Sequence, residues 1–246
     1  MITSDLVQRR LNIFWGYGSL DAPTWFVGME EGLTSIDISE LEIRFQATDG
    51  KIMADIRNDM TALSSHMKWF RPPFPLQYTW RYIINFYLCL VNDRRPSTEE
   101  VREYQRGVLG NLKLQQSAVI ELMPLPSNTA DESGWLYADY NVVGLRTRRE
   151  YMNTYKSRRV IRLHQIIEQH RPQLAIFYSM SYLEEWRQVI GIPLRVVTQQ
   201  MYFAQSDTTS FCVIPQPRGV PYSRLYEFAD LIRPQCHRTI DPPRLS

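Results

Sequence analysis

Short unbroken apolar runs alternate with longer stretches in which apolar residues recur every three or four positions. Four runs have the character of buried strands: Thr24 to Met29, around Trp25-Phe26-Val27, then Ser117 to Met123, Leu174 to Tyr178 and Phe211 to Ile214. Helical spacing covers residues 3–15, where Leu6, Leu11 and Phe14 share one side, and recurs over 79–91, 97–110, 147–170, 181–190 and 222–232. Asp37-Ile-Ser-Glu40 has the spacing of a capping box and predicts a helix from about Ile38. Ser97 with Glu100 repeats that signature. Arg195 to Thr198 reads as a short extra strand. Residues 48–78 fit neither period. Asp49-Gly50 signals a turn, and Pro72, Pro73 and Pro75 remove backbone donors and restrict their predecessors. An irregular stretch of that length is expected to form a binding loop or lid.

Strands alternating with helices predict βαβ units: an α/β fold with a parallel sheet covered by helices on both faces. Strands one, two and four each run into a loop of Pro, Gly and polar residues. These loops are Met29 to Gly32, Pro124 to Thr129 and Pro215 to Pro221. They converge at the carboxyl edge of the sheet, where open α/β sheets bind their ligands. In the first loop Glu30 and Glu31 stand between Gly28 and Gly32, two residues that permit a sharp turn and a close ligand approach.

A length of 246 residues fits one domain, residues 1–246, and 44% hydrophobic with 22% charged residues is ordinary globular composition. A net charge of +2 announces no nucleic-acid partner, but its distribution changes the picture. Arg146, Arg148, Arg149, Lys156, Arg158, Arg159 and Arg162 fall in one segment, either a phosphate-facing patch or the solvated face of a helix. Cys89, Cys212 and Cys236 lie far apart, which excludes a disulfide framework and a four-thiolate cluster; Cys89 and Cys212 are expected in the core. His164 and His170 have no partner at metal-ligand spacing, so neither metal nor cofactor is expected. Asp5, Arg9 and Arg10 break up the amino-terminal stretch, and the apolar run from Tyr82 to Val91 is too short to span a bilayer. A cytoplasmic protein with no membrane association is expected.

Tyr17-Gly-Ser-Leu-Asp-Ala-Pro23 leading into Phe26-Val-Gly-Met-Glu-Glu-Gly32 resembles the first motif of the uracil-DNA glycosylase superfamily, in the style of its iron–sulfur-bearing branch. Val213-Ile-Pro-Gln-Pro-Arg218, followed by a helix, stands where that superfamily carries its second motif. The resemblance spans roughly residues 15 to 232. It implies a three-layer α/β/α fold around a central four-stranded parallel sheet, with an insertion at about 45–78. Its departures are specific: Glu31 replaces a proline, Ile214 replaces the second-motif histidine, and the cluster cysteines are absent. A divergent branch fits these departures, such as phage-defence glycosylases that remove glucosylated hydroxymethylcytosine.

The resemblance implies a monomeric DNA glycosylase that breaks an N-glycosidic bond after flipping the base out of the duplex. Glu30 occupies the position of the residue that orients water and stabilises the oxocarbenium-like sugar, with Glu31 as the alternative or as its partner. Gly28, Met29 and Gly32 frame the substrate around them. Phe45, Trp69, Phe70 and Phe74 are the candidate stacking platforms, and His66 a candidate acid or sugar contact. Ser127 and Asn128 stand where relatives read the base edge. Gln216, backbone amides of 214–219 or a residue of the Trp69 loop replaces the missing histidine as donor to the leaving base. Arg218, with Pro215, Pro217 and Gly219, is the expected wedge or phosphate clamp, and Arg148, Arg149 and Arg158 are the candidates for DNA contact. The competing readings are a DNA-binding module without chemistry and a hydrolase of small nucleosides or nucleotides.

Overall fold

A strand with no polar face is satisfied only inside a sheet that is covered on both sides, and the computed structural model places Thr24–Gly32 there. The structure describes residues 2–33, 38–128, 132–216 and 220–236. In chain order the elements are α1 (Ser4–Ile13), β1 (Gly16–Gly18), β2 (Thr24–Gly32), α2 (Ile38–Ala47), β3 (Met53–Ala54), α3 (Ser64–Met67), α4 (Tyr78–Asn92), α5 (Thr98–Gly107), β4 (Ser117–Ser127), α6 (Arg148–His170), β5 (Leu174–Tyr178), α7 (Leu183–Ile190), β6 (Arg195–Thr198), β7 (Met201–Gln205), β8 (Ser210–Ile214) and α8 (Tyr222–Ile232). Ser97 and Glu100 form the predicted capping box of α5, and Thr147 caps α6. Asp37, the predicted cap of α2, lies outside the described residues.

The fold is α/β. The sheet has eight strands in the order β3-β1-β4-β2-β5-β8-β7-β6 and is mixed, which corrects the expectation of four parallel strands. The four strands read from the sequence, β4-β2-β5-β8, run parallel at its centre. Antiparallel β1 and β7 extend it on the two sides. Successive residues of β2 point to opposite faces, so Phe26 enters one core with Tyr87, Tyr104 and Phe228, while Trp25 and Val27 enter the other with Leu11, Leu163 and Trp186. Residues 48–78 pack against the sheet and contribute Ile56, His66, Trp69 and Gln77 to the lining of a cavity at its edge. Ile56, Met60, Leu63, Met67 and Phe70 anchor the segment in the first core, and no periodicity marks it because its helix, α3, spans only four residues.

Two strands continue past their predicted ends. β2 runs on through Glu30 and Glu31 to Gly32, so the acids stand on a strand and not in a turn. β4 runs to Ser127 through Pro124 and Pro126, whose missing amides argued for a loop. Side chains replace the ladder there: Arg10 Nε donates to the Pro124 carbonyl at 2.8 Å, Leu125 N–H donates to Tyr151 Oη at 3.1 Å, and Tyr137 Oη donates to the Pro126 carbonyl at 2.8 Å.

Arg159 locks α6 to the sheet. It is 5% exposed, its guanidinium lies 3.3 Å from the centre of the Trp15 ring, and it donates to the carbonyls of Leu122, Glu121 and Phe14 at 2.7, 3.0 and 3.1 Å. Burial pushes it down to about 9, so it remains charged at neutral pH.

β1 approaches β4 so closely that only glycine fits. At Gly16, with φ +144°, a Cβ would fall 2.0 Å from the Val119 carbonyl oxygen. We expect Gly16→Ala to destabilise the protein by about 1–3 kcal/mol or more. Gly32→Ala, which meets nothing within 4 Å, stays near wild type. Thermal melts of the two variants provide the check, at about 2–4 °C per kcal/mol for a chain of this size.

Candidate active site

The carboxyl ends of β2, β4, β5 and β8 bring Glu30, Ser127, Tyr178 and Gln216 to one edge of the sheet, where two cavities share lining residues. The first, of about 310 Å³, is lined by Glu30, Glu31, Glu121, Tyr178 and Tyr17 from the sheet and by His66, Trp69 and Trp80 from outside it. The second, of about 250 Å³, is lined by Met29, Glu30, Asn128, Tyr178, Ser179 and Gln216, with Ser127 and Tyr182. Glu30 and Tyr178 line both.

Gly28 makes this layout possible. A Cβ there would lie 2.2 Å from Tyr178 Oη, so the tyrosine ring crosses the sheet over the bare glycine. Beyond Gly28, on β4, stands its register partner Glu121.

The two predicted acids differ in environment. Arg148, from the first turn of α6, grips both oxygens of Glu30 at 2.6 and 2.8 Å. Burial raises Glu30 from its ordinary value against the opposing pull of Arg148. Glu31 accepts from Tyr17 Oη at 2.6 Å, from Arg10 at 3.2 Å and from Arg44. Burial pushes Glu31 up, but Arg44 and Arg10 more than offset it, leaving it below its ordinary value as a fixed carboxylate. Arg44 also binds Glu40, at 3.1 Å.

Glu121 was missed by the sequence reading. It is 5% exposed, and its Oε2 has no hydrogen-bond partner. Burial, then the charges of Glu31 and Glu30, holds it well above the carboxylate range. Its signal in the sequence is one charged residue inside the otherwise apolar run Ser117 to Met123; such a residue is rarely buried without a role.

The other candidates sort by position. Trp69 and His66 line the first cavity. His66 Nε2 lies 2.7 Å from the Ile56 carbonyl, and burial followed by Arg44 lowers it, so it is neutral at neutral pH. Phe45 and Phe70 are core residues: Phe45 stacks on Tyr137, and Phe70 packs against His66 and Trp80. Phe74 lies under Arg106, outside both cavities. Gln216 donates to Ser179 Oγ at 3.0 Å, Asn128 Oδ1 is buried without a partner, and Pro215 is buried. Pro217, Arg218 and Gly219 lie outside the described residues.

The basic segment is not one patch. Arg148 and Arg159 are buried, Lys156 pairs with Glu185 and Arg146 with Glu150, while Arg149 and Arg158 are exposed. Arg158 lines a separate cavity of about 840 Å³ between α6 and the end of α1, where no carboxylate is present among the described residues. Among the described residues no group of three or more His, Cys, Asp or Glu is placed to hold a metal, and no helix is long and apolar enough to cross a membrane.

Two expectations follow from these environments. Glu31→Gln leaves Arg10 without a carboxylate and Arg44 with Glu40 alone, and costs about 3–5 kcal/mol, read from denaturant or thermal unfolding. Glu121→Gln changes the pH dependence of stability. Above about pH 4.3 an unfolded chain releases the Glu121 proton while the folded protein retains it. The wild type therefore loses stability relative to Glu121→Gln as pH rises from there toward the raised folded value. Parallel difference curves for the two proteins across that range would remove Glu121 from the account.

No protein-family model and no curated protein sequence matches the chain.

Proposed function

We propose that this protein is a DNA glycosylase related to the uracil-DNA glycosylase superfamily, hydrolysing the bond between deoxyribose and a modified base, with a bulky modified cytosine favoured over plain uracil. The observation that carries the reading is Glu30: a largely buried carboxylate at the carboxyl end of the first central strand, lining two cavities. The parallel order β4-β2-β5-β8 supports it by setting the site where the chain switches from one side of β2 to the other.

The roles follow from position. The base enters the first cavity against Trp69 and Tyr178, and the sugar lies over Glu30. Glu30, raised by burial, is a stronger base than an exposed carboxylate and receives the proton of the attacking water while its charge stabilises the oxocarbenium-like sugar. Arg148 fixes the carboxylate in place, a positioning role in place of the phosphate contact expected of it. Asn128 and Gln216 supply polar groups along the second cavity, which gives a substituent on the base somewhere to go. In this reading the protein is a cytoplasmic monomer whose partner is DNA.

One observation favours a DNA-binding module without chemistry: Arg148 already occupies both oxygens of Glu30. An excision assay separates the two. Oligonucleotides carrying uracil, hypoxanthine, hydroxymethylcytosine or glucosylated hydroxymethylcytosine are incubated with the protein and cut at abasic sites with alkali. We expect cleavage at a modified cytosine, and a loss of about 10²–10⁴-fold in Glu30→Gln at unchanged folding. Salt-sensitive DNA binding with no excision of any base would establish the binding module instead.

A further inference from the structure

Glu121 lacks a role in the hydrolysis as described, yet it is the least compensated group in the site. Its Oε2 is buried and unpartnered, and it lines the first cavity. Gly28 and Glu121 are register partners on parallel strands, Glu30 lies two residues beyond Gly28, and Glu121 and Glu30 both line the first cavity. Strand rise and spacing separate their backbones by roughly 8 Å. A base in the first cavity and its sugar over Glu30 fit between them.

We propose that Glu121 is a catalytic general acid that protonates the departing base, and that the substrate is therefore a base that leaves poorly as an anion, as an aminopyrimidine does. The inference rests on the glycosylase reading above. Protonation at a ring nitrogen or the exocyclic oxygen lets the C1′–N bond break with its electron pair going to the base. Water adds to C1′ and gives its proton to Glu30. The products are a neutral base and an abasic sugar, with Glu121 ionised and Glu30 protonated until solvent exchanges the protons. This supplies the donor that Ile214 cannot.

The surroundings keep Glu121 in the acid form. Glu30 and Glu31 on β2 face it with like charge, Tyr178 on β5 lies over the intervening glycine, and the nearest cations, Arg10 on α1 and Arg44 on α2, are held by Glu31. His66 on α3 lines the same cavity and is neutral.

The test uses the full chain on DNA with hydroxymethylcytosine or its glucosylated form. Glu121→Gln is expected to lower excision by about 10²–10⁴-fold. It should also remove the decline of the wild-type rate at alkaline pH, while Glu121→Asp retains that decline. An infrared difference spectrum between wild type and Glu121→Gln at neutral pH reports the protonated carboxyl without reference to activity and should show its band. Full activity in Glu121→Gln, a loss with the pH profile unchanged, or no protonated carboxyl band overturns the proposal. A wild type that excises no base defeats the glycosylase reading and the proposal with it, whereas excision by wild type with a normal Glu121→Gln defeats the proposal alone.

Discussion

Placing charge where water is scarce is the constraint from which this site is built. Four carboxyl groups, Glu30, Glu31, Glu40 and Glu121, crowd around one cavity, and three largely buried guanidiniums, Arg10, Arg44 and Arg148, answer them. An isolated buried ion is too costly to keep, so each charge needs a partner or must be neutralised. The pairs Glu30–Arg148 and Glu31–Arg10–Arg44–Glu40 use up the cations. Glu121 is left over, and burial with the charges of Glu31 and Glu30 raises it well above the carboxylate range. Its raised proton affinity is thus a consequence of the charge balance around it.

The same arginines hold the framework. Arg10 joins α1 to the tip of β4 through the Pro124 carbonyl and to β2 through Glu31, while its guanidinium lies over the rings of Phe14 and Phe45. Arg148 is placed by the first turn of α6, whose free amides at residues 148 and 149 are capped by the carboxylate of Glu132 at 2.7 and 2.8 Å. Removing charge from the site therefore changes the packing of two helices as well as its chemistry.

The central strands and the longer helices were legible because each carries a period over enough residues to register, as in β2 with Trp25-Phe26-Val27 or α6 with its cap at Thr147. The short strands β1 and β3 were not, since three and two residues carry no period. The tip of β4 was misread for a physical reason: proline rules describe ladders, and here the backbone bonds to side chains from elsewhere in the chain. Glu30 and Glu31 could be picked out as a pair, but their division into a carboxylate clamped by one arginine and a carboxylate fixed by two depends on Arg148, 118 positions away, and on Arg10 and Arg44. Glu121 looked like a strand residue among others until its register with Gly28 placed it in the cavity. The basic segment misled most, because net charge along a helix says nothing of which guanidiniums point inward.

The proline-bearing tip of β4 has one more consequence. A strand end held by neighbouring backbone can fray by itself, whereas the Leu125 amide is tied to a phenol on α6 and the Pro124 carbonyl to a guanidinium on α1. Opening this end requires α1 and α6 to undock from the sheet. The floor of the site is therefore coupled to the global unfolding of the molecule, and the Leu125 amide exchanges with solvent as a core amide would, although it sits at the edge of a ligand-sized cleft.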